Sequence, residues 1–220
     1  MLISGVDDAG RGSVIGPLAI AGVLLEEKDL PKLAELGVKD SKLLSPQRRE
    51  SLAYQIRVLA QNCNIVMVSP VEIDRVVETG RRLYRLNRLE AETMARVLET
   101  LKPDVAYVDA SDVLPNRFRD HIAENLSFKL KIISEHKADS KYPIVSAASI
   151  IAKVERDKAL SQLQRKYGNM GCGYPNDLHT IEFLECWIRK FGSYPDFVRK
   201  SWKPAKRVKR EADSQQKKLQ

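Results

Sequence analysis

The chain of 220 residues is long enough for one domain with a full hydrophobic core, and its 43% hydrophobic content is typical of globular proteins. No apolar run is long enough to cross a bilayer, and the amino terminus has no signal-peptide pattern, so we expect no membrane partner. Cys63, Cys172 and Cys186 are widely spaced, which favours a reducing cytoplasm over a disulfide or zinc framework.

The net charge of +8 is concentrated at the carboxyl end. Residues 199–220 hold nine of the 37 basic residues but only two of the 29 acidic ones, so this segment carries +7 and the remainder +1. Such asymmetry favours a polyanionic partner, and nucleic acid before a membrane because the segment lacks an apolar face. The alternative is a solvated tail that only aids solubility.

Runs of β-branched and apolar residues predict strands, and helical spacing of apolar residues predicts helices. The strands are expected at 2–7, 17–26, 64–69, 104–110 and 128–134. The helices are expected at 45–63, 69–80, 81–102, 142–168 and 177–192, with a further helix between the last two strands.

The order of these elements predicts the fold class. The first two strands follow one another across a short glycine-rich turn and predict an antiparallel hairpin, whereas the later strands alternate with helices and predict parallel pairing. We therefore expect an α/β fold with a mixed five-stranded sheet flanked by helices, over residues 1–165. A small helical subdomain is expected at 166–202 and a flexible basic tail at 203–220.

Aspartates recur at the predicted strand ends. Asp7 and Asp8 precede a glycine-rich turn, Asp109 closes the fourth strand, and Asp139 follows the fifth. Successive side chains of a strand face opposite sides, so Asp7 and Asp8 can share a ligand only if the strand ends there. If the strand ends converge, the carboxylates would hold hard divalent cations such as Mg²⁺. For a single aspartate, a helix cap remains the alternative.

The turn at residues 10–16, GRGSVIG, resembles a dinucleotide fingerprint, but that fingerprint must open a helix. Here Gly16 and Pro17 introduce a strand-like run, and the Lys-Ser/Thr pair of a phosphate-binding loop is missing. What remains is either a turn whose backbone can approach a ligand closely or a simple hairpin turn.

Five long segments follow one another along the chain: GVDDAGRGSVIGPL, GVKDSKLLS, AYVDASD, EHKADSKYPIVSAASIIAKVERD and GCGYPND. In this order they resemble the ribonuclease HII family, most closely its archaeal form, and the resemblance covers nearly the whole chain before residue 203. It implies a ribonuclease H-like fold and hydrolysis of RNA in RNA/DNA hybrids and of ribonucleotides embedded in duplex DNA. Cleavage 5′ of the ribonucleotide with two cations, Mg²⁺ or Mn²⁺, would leave 3′-hydroxyl and 5′-phosphate ends, which suits ribonucleotide removal and RNA primer processing.

The resemblance also assigns residues. Four fall on the family's metal-binding acidic positions: Asp7, Asp8, Asp109 and Asp139. Gly10, Arg11 and Gly12 match the turn that reads the 2′-hydroxyl beside the scissile phosphate, a group that distinguishes RNA from DNA. Tyr174 matches the tyrosine that stacks on the sugar following the ribonucleotide. Three basic residues are candidate phosphate contacts, with ordinary surface salt bridges as the alternative: Lys42, Lys153 and Arg156.

The chain departs from the family at Asp8, where glutamate is usual, and at Leu178, where proline is more frequent. Aspartate shortens the reach by one methylene, roughly 1.5 Å, and we expect a shift of preference from Mg²⁺ toward Mn²⁺. If Asp8 disabled the cation site, the chain would bind RNA–DNA junctions without cutting. The other alternative is a different nuclease or strand-transfer enzyme on the same fold.

The last five residues, QKKLQ at 216–220, resemble the first half of a sliding-clamp-binding motif, Q-x-x-L, but lack its aromatic half. A sliding clamp is therefore one candidate partner, and a disordered end is the alternative. In other respects we expect a cytoplasmic monomer.

Overall fold

The structure, a computed structural model, describes residues 1–38, 44–79 and 85–218, the side chains of 216–218 excepted. The strands are β1 (Leu2–Ala9), β2 (Leu18–Glu26), β3 (Asn62–Val68), β4 (Val105–Asp109) and β5 (Lys131–Glu135). The helices of these ranges are α1 (Leu30–Glu35), α2 (Pro46–Leu59), α3 (Pro70–Thr79), α4 (Arg85–Leu101), α5 (Pro115–Ala123), α6 (Ala138–Lys141), α7 (Pro143–Tyr167), α8 (Leu178–Phe191) and α9 (Lys203–Lys218).

The strands form one mixed sheet in the order β3-β2-β1-β4-β5. β1 and β2 are antiparallel, with Leu2 opposite Glu26 and Ala9 opposite Ala19. β4 is parallel to both β1 and β5. The predicted mixed five-stranded sheet is therefore confirmed, and the carboxyl ends of three parallel strands meet at one edge, where α/β sheets bind ligands.

Two glycines show how tightly helices cover the two faces of this sheet. A Cβ at Gly5 of β1 would collide with the backbone of Ile144 in α7. A Cβ at Gly22 of β2 would lie 2.7 Å from Leu101 Cδ1 in α4. Gly22 is paired with Val6, the neighbour of Gly5, so the two glycines face opposite sides. α7 therefore covers one face of the sheet and α4 the other.

The chain divides into two compact units, and neither is continuous in sequence. The first comprises the described parts of Met1–Ala9, Ala19–Met67 and Arg82–Glu155, and its buried core includes Val23 and Ile151. The second comprises the described parts of Gly10–Leu18, Val68–Arg81 and Arg156–Gln220. This division differs from the predicted segments 1–165 and 166–202 because Gly10–Leu18 contributes Val14 and Ile15 to the core of the second unit.

The structure corrects the predicted flexible tail. α9 occupies residues 203–218, and its Ala205 and Val208 are buried in a cluster with Leu184 and Ile188 of α8. The two apolar residues lie three positions apart and so share one helical face. They were overlooked because basic residues surround them in the sequence.

No helix within the described ranges has the length and apolar character needed to span a membrane.

Candidate active site

Asp7 and Asp8 are successive residues of one continuous strand. β1 runs on to Ala9, with Asp7 paired to Ala21 and Asp8 to Ile20, so the predicted strand end after Asp7 is wrong. Alternation then directs the two side chains to opposite faces of the sheet. Asp7 shares its face with Gly5 and α7 and is only 5% exposed, whereas Asp8 is half-buried on the other face.

Asp109 lies beside Asp7 at the same edge of the sheet. The parallel register pairs Val6 with Val108, so Asp7 and Asp109 follow at equivalent positions, two residues before the end of β1 and at the end of β4. Burial, and after it the negative charges of Asp8 and Asp109, raise the pKa of Asp7 well above its ordinary value. Three of the four predicted carboxylates are therefore electrostatic neighbours.

Asp139 is placed next to this group by a backbone contact. The N–H of Ala138, which begins α6, donates to Asp109 Oδ1 at 2.7 Å, and Asp139 follows directly and is buried. The preceding residue, Lys137, has a left-handed backbone with φ of 56°. Such strain in a non-glycine residue is concentrated at functional sites, because surrounding contacts must maintain it.

The donor chemistry of this group fits hard divalent cations. Carboxylate oxygens are the ligands that Mg²⁺ and Mn²⁺ prefer, and neighbouring negative charges are relieved by a bound cation. Across the described ranges, however, no three His, Cys, Asp or Glu side chains already stand in a coordinating arrangement. Asp8 instead accepts a hydrogen bond from Ser111 Oγ at 3.3 Å. That all four aspartates hold cations therefore stays a prediction.

A buried aspartate supports the loop that follows Asp109. Asp112 is 1% exposed and accepts hydrogen bonds from the N–H of Leu114 at 2.9 Å, from Asn87 Nδ2 at 2.9 Å and from Arg117 Nε at 3.1 Å. Burial alone would raise the pKa of Asp112, but the hydrogen bonds from Arg117, Leu114 and Asn87 lower it to about 2. The carboxylate is therefore ionised and fixes the loop at the end of β4.

The Gly-Arg-Gly turn belongs to the second unit. Gly10 has φ of 89°, and a Cβ there would lie 2.9 Å from the carbonyl oxygen of Pro17, so only glycine fits without displacement. Ser13 closes the turn, with its Oγ donating to Gly10 O at 2.9 Å. Gly12 is exposed, and a Cβ there would lie 3.9 Å from Tyr174 Cε1. The structure therefore brings Tyr174 to the exposed side of this turn.

Arg156 lies against Tyr174. Its Cζ is 4.8 Å from the centre of the Tyr174 ring, and its Nη2 donates to the carbonyl oxygen of Cys172. The arginine is 5% exposed, so most of its guanidinium is engaged within the second unit. A cation over the ring face favours one orientation of the tyrosine. Contact between Arg156 and a phosphate stays a prediction.

Asp177 fixes the loop that carries Tyr174. It accepts hydrogen bonds from the N–H groups of Cys172 and His179, and these bonds, the Cys172 bond first, lower the pKa of Asp177 to about 2. Thr180 Oγ1 joins the same network by donating to the carbonyl oxygen of Met170 at 3.0 Å.

Two further predicted phosphate contacts have different outcomes. Lys153 is half-buried on α7 in the first unit, and its role stays a prediction. Lys42 lies outside the described residues.

The sequence patterns did not identify Ser111 and Asp112, although the DASD segment that contains Asp109 offered a signal. The buried Arg199 was counted only as a tail charge.

Comparison with known proteins gives one consistent family. The family model of ribonuclease HII matches residues 4–205. Ribonuclease HII of Pyrococcus furiosus is 47% identical, over 94% of this chain and 91% of its own length. The crystal structure of ribonuclease H2 from Pyrococcus horikoshii OT3 has a TM-score of 0.89 and 43% identity, covering 97% of this chain and 99% of that one. The PCNA:RNase HII complex from Archaeoglobus fulgidus has a TM-score of 0.84 and 43% identity, covering 92% and 96%.

Proposed function

The chain belongs to the ribonuclease HII family and is an endoribonuclease of the ribonuclease H type, and we propose that it cuts 5′ of ribonucleotides embedded in duplex DNA as well as the RNA strand of RNA/DNA hybrids. The observation that carries this proposal is the alignment of Asp7 with Asp109 near the carboxyl ends of two parallel strands. In the cell such an activity serves ribonucleotide removal and RNA primer processing.

The residues of the first unit supply the charge that the reaction needs. We expect Asp7, Asp109 and Asp139 to direct carboxylate oxygens to one edge of the sheet, because Ala138, the neighbour of Asp139, donates to Asp109. Asp8 would join them by giving up its hydrogen bond with Ser111. Two divalent cations held there would activate a water molecule and stabilise the leaving 3′-oxygen. Attack of the water on phosphorus with cleavage of the bond between phosphorus and the 3′-oxygen leaves a 3′-hydroxyl and a 5′-phosphate.

The residues of the second unit supply substrate recognition. The turn at Gly10–Gly12 has an exposed backbone at Gly12, and backbone N–H groups can donate to the 2′-oxygen that RNA has and DNA lacks. Tyr174, held by Arg156, offers an aromatic face on which a sugar can stack. Recognition therefore depends on backbone geometry more than on side-chain length.

A comparison of three labelled duplexes tests the proposed function. One contains DNA only, one contains a single ribonucleotide, and one is an RNA/DNA hybrid. We expect cleavage of the last two and not of the first, loss of that cleavage in Asp109→Asn, and full cleavage in Asp120→Asn, which changes an exposed aspartate of α5. Equal cleavage of the all-DNA duplex would indicate a different nuclease.

A sliding clamp is the protein partner that we propose. A relative that is 43% identical is known in a complex with PCNA, and this chain has Q-x-x-L in its last five residues. The side chains of residues 216–220 lie outside the described part of the structure. Replacing Leu219 with alanine should weaken retention on an immobilised archaeal clamp, whereas Val113→Ala, an exposed apolar change elsewhere, should not. Equal retention of both variants would remove this partner.

A further inference from the structure

Arg199 is the largest fully buried side chain within the described residues, with 0% exposure. Its guanidinium donates to three carbonyl oxygens of one loop: Nη2 to Gly10 at 2.7 Å, Nη1 to Arg11 at 2.7 Å, and both Nε and Nη2 to Gly16 at 3.2 Å. Burying an ion is unfavourable unless hydrogen bonds of good geometry replace its water. These carbonyl groups therefore stabilise the buried cation, and the cation in turn holds them in place.

The segment around Arg199 is itself fastened to the same loop. The N–H of Arg199 donates to Val14 O at 2.9 Å, and the N–H of Gly16 donates to Phe197 O at 2.9 Å.

The residues that follow Arg199 are anchored by a buried carboxylate. Asp74 accepts from the N–H groups of Lys200 at 2.7 Å and Ser201 at 3.0 Å. The backbone of Arg199 is thus anchored, and this holds its guanidinium in place against the carbonyl groups of the loop.

The direction of these carbonyl groups determines where the N–H groups of the loop point. The described peptide bonds are trans, and in a trans peptide the C=O of one residue and the N–H of the next point in opposite directions. Because Gly10 O and Arg11 O point at Arg199, the N–H groups of Arg11 and Gly12 point away from it. Gly12 is exposed, so a ligand can approach its backbone.

We propose that Arg199 is a positioning residue for substrate recognition, because it orients the backbone N–H groups of Arg11 and Gly12 toward the ribose 2′-oxygen. This inference rests on the proposed function, in which the Gly10–Gly12 turn reads that hydroxyl. Arginine is required because its planar fork reaches three carbonyl groups at once, whereas the single ammonium of lysine cannot satisfy them in the same geometry.

The test compares Arg199→Lys with Arg189→Lys, which makes the same chemical change at an exposed arginine of α8. Dissociation constants are measured by fluorescence anisotropy, with chelator present, for a duplex with one ribonucleotide and for the same duplex in DNA. The decisive readout is the dissociation constant for the all-DNA duplex divided by the one for the ribonucleotide duplex. Partial unfolding does not change this ratio, because it lowers the active fraction equally for both duplexes. We expect the ratio to fall toward one in Arg199→Lys and to stay at the wild-type value in Arg189→Lys.

Activity provides a second readout. We expect kcat/KM on the single-ribonucleotide duplex to fall roughly tenfold or more in Arg199→Lys, as when a recognition group is displaced. If Arg199→Lys does not fold, Asp74→Asn takes its place, because it loosens the anchored segment without removing the guanidinium, and the ratio should fall part of the way. An unchanged ratio in a folded variant would overturn the positioning role. A wild-type ratio of one would instead contradict the proposed function of the turn.

Discussion

Replacement of Gly10 by alanine separates the backbone requirement of the turn from its functional role. Gly10 and Gly168 lie in the same unit and have nearly equal φ values, 89° and 88°. A Cβ at Gly168 would have open space around it, whereas a Cβ at Gly10 would lie 2.9 Å from Pro17 O and 3.3 Å from Arg156 Cγ. Gly168→Ala is therefore a matched control that carries the conformational cost alone.

The magnitudes follow from these contacts. A positive φ costs a non-glycine residue about 1–2 kcal/mol, so Gly168→Ala should lower Tm by roughly 2–8 °C in a chain of this size. The collision at Gly10 adds about 1–3 kcal/mol, because the backbone of the turn must shift to admit the methyl group. Unfolding in urea measures these costs.

The functional consequence should be confined to Gly10→Ala. We expect this variant to lose roughly tenfold or more in kcat/KM on a single-ribonucleotide duplex, about 1.4 kcal/mol in the barrier. Gly168→Ala should retain wild-type kcat/KM at temperatures where it is folded. If both variants lose stability but Gly10→Ala keeps wild-type activity and preference for the ribonucleotide, the turn does not read the sugar and the reasoning is refuted.

Three further predictions concern the other parts of the molecule. Asp8→Glu should increase the ratio of the Mg²⁺-supported to the Mn²⁺-supported cleavage rate, because the longer side chain restores reach; equal ratios would contradict this. Asp112 has a folded pKa of about 2 against an ordinary 3.8, so it should contribute about 2 kcal/mol to the free energy of unfolding above pH 4, lost as the pH falls toward 2. Asp112→Asn should remove that contribution at pH 7. Equal urea midpoints for the variant and the wild type would show that the pair of Asp112 and Arg117 adds nothing to stability. Changing Lys206, Lys209 and Arg210 of α9 to glutamine should make the plot of log binding constant against log salt concentration less steep, by roughly one for each lost phosphate contact. An unchanged slope would exclude α9 from the interface.

The sheet was predictable because its strands carry a strong local signal. Runs rich in β-branched and apolar residues identified all five strands, and the order of elements predicted the antiparallel hairpin and the parallel crossovers. Strand ends were less accurate, and the consequence is visible at Asp7 and Asp8. The predicted end after Asp7 was wrong because Ala9 and Ala19 still pair, which no local property of the sequence reveals.

The role of Arg199 was hidden for a different reason. In the sequence it is one of nine basic residues near the carboxyl end, and a charge count treats all nine as solvated. Its burial arises from contacts with Gly10 and Gly16, more than 180 positions away along the chain. α9 shows the same limitation, because its buried face rests on Ala205 and Val208, two apolar residues among basic neighbours.

The most direct test of the central claim maps the cut to a single nucleotide and identifies the chemistry of the new ends. A 5′-labelled duplex with one ribonucleotide is incubated with Mg²⁺, with Mn²⁺ or with chelator. The account predicts a cation-dependent cut immediately 5′ of the ribonucleotide, with a 3′-hydroxyl on the labelled fragment and a 5′-phosphate on the other. A cut on the 3′ side that persists in chelator and leaves a 2′,3′-cyclic phosphate would contradict it.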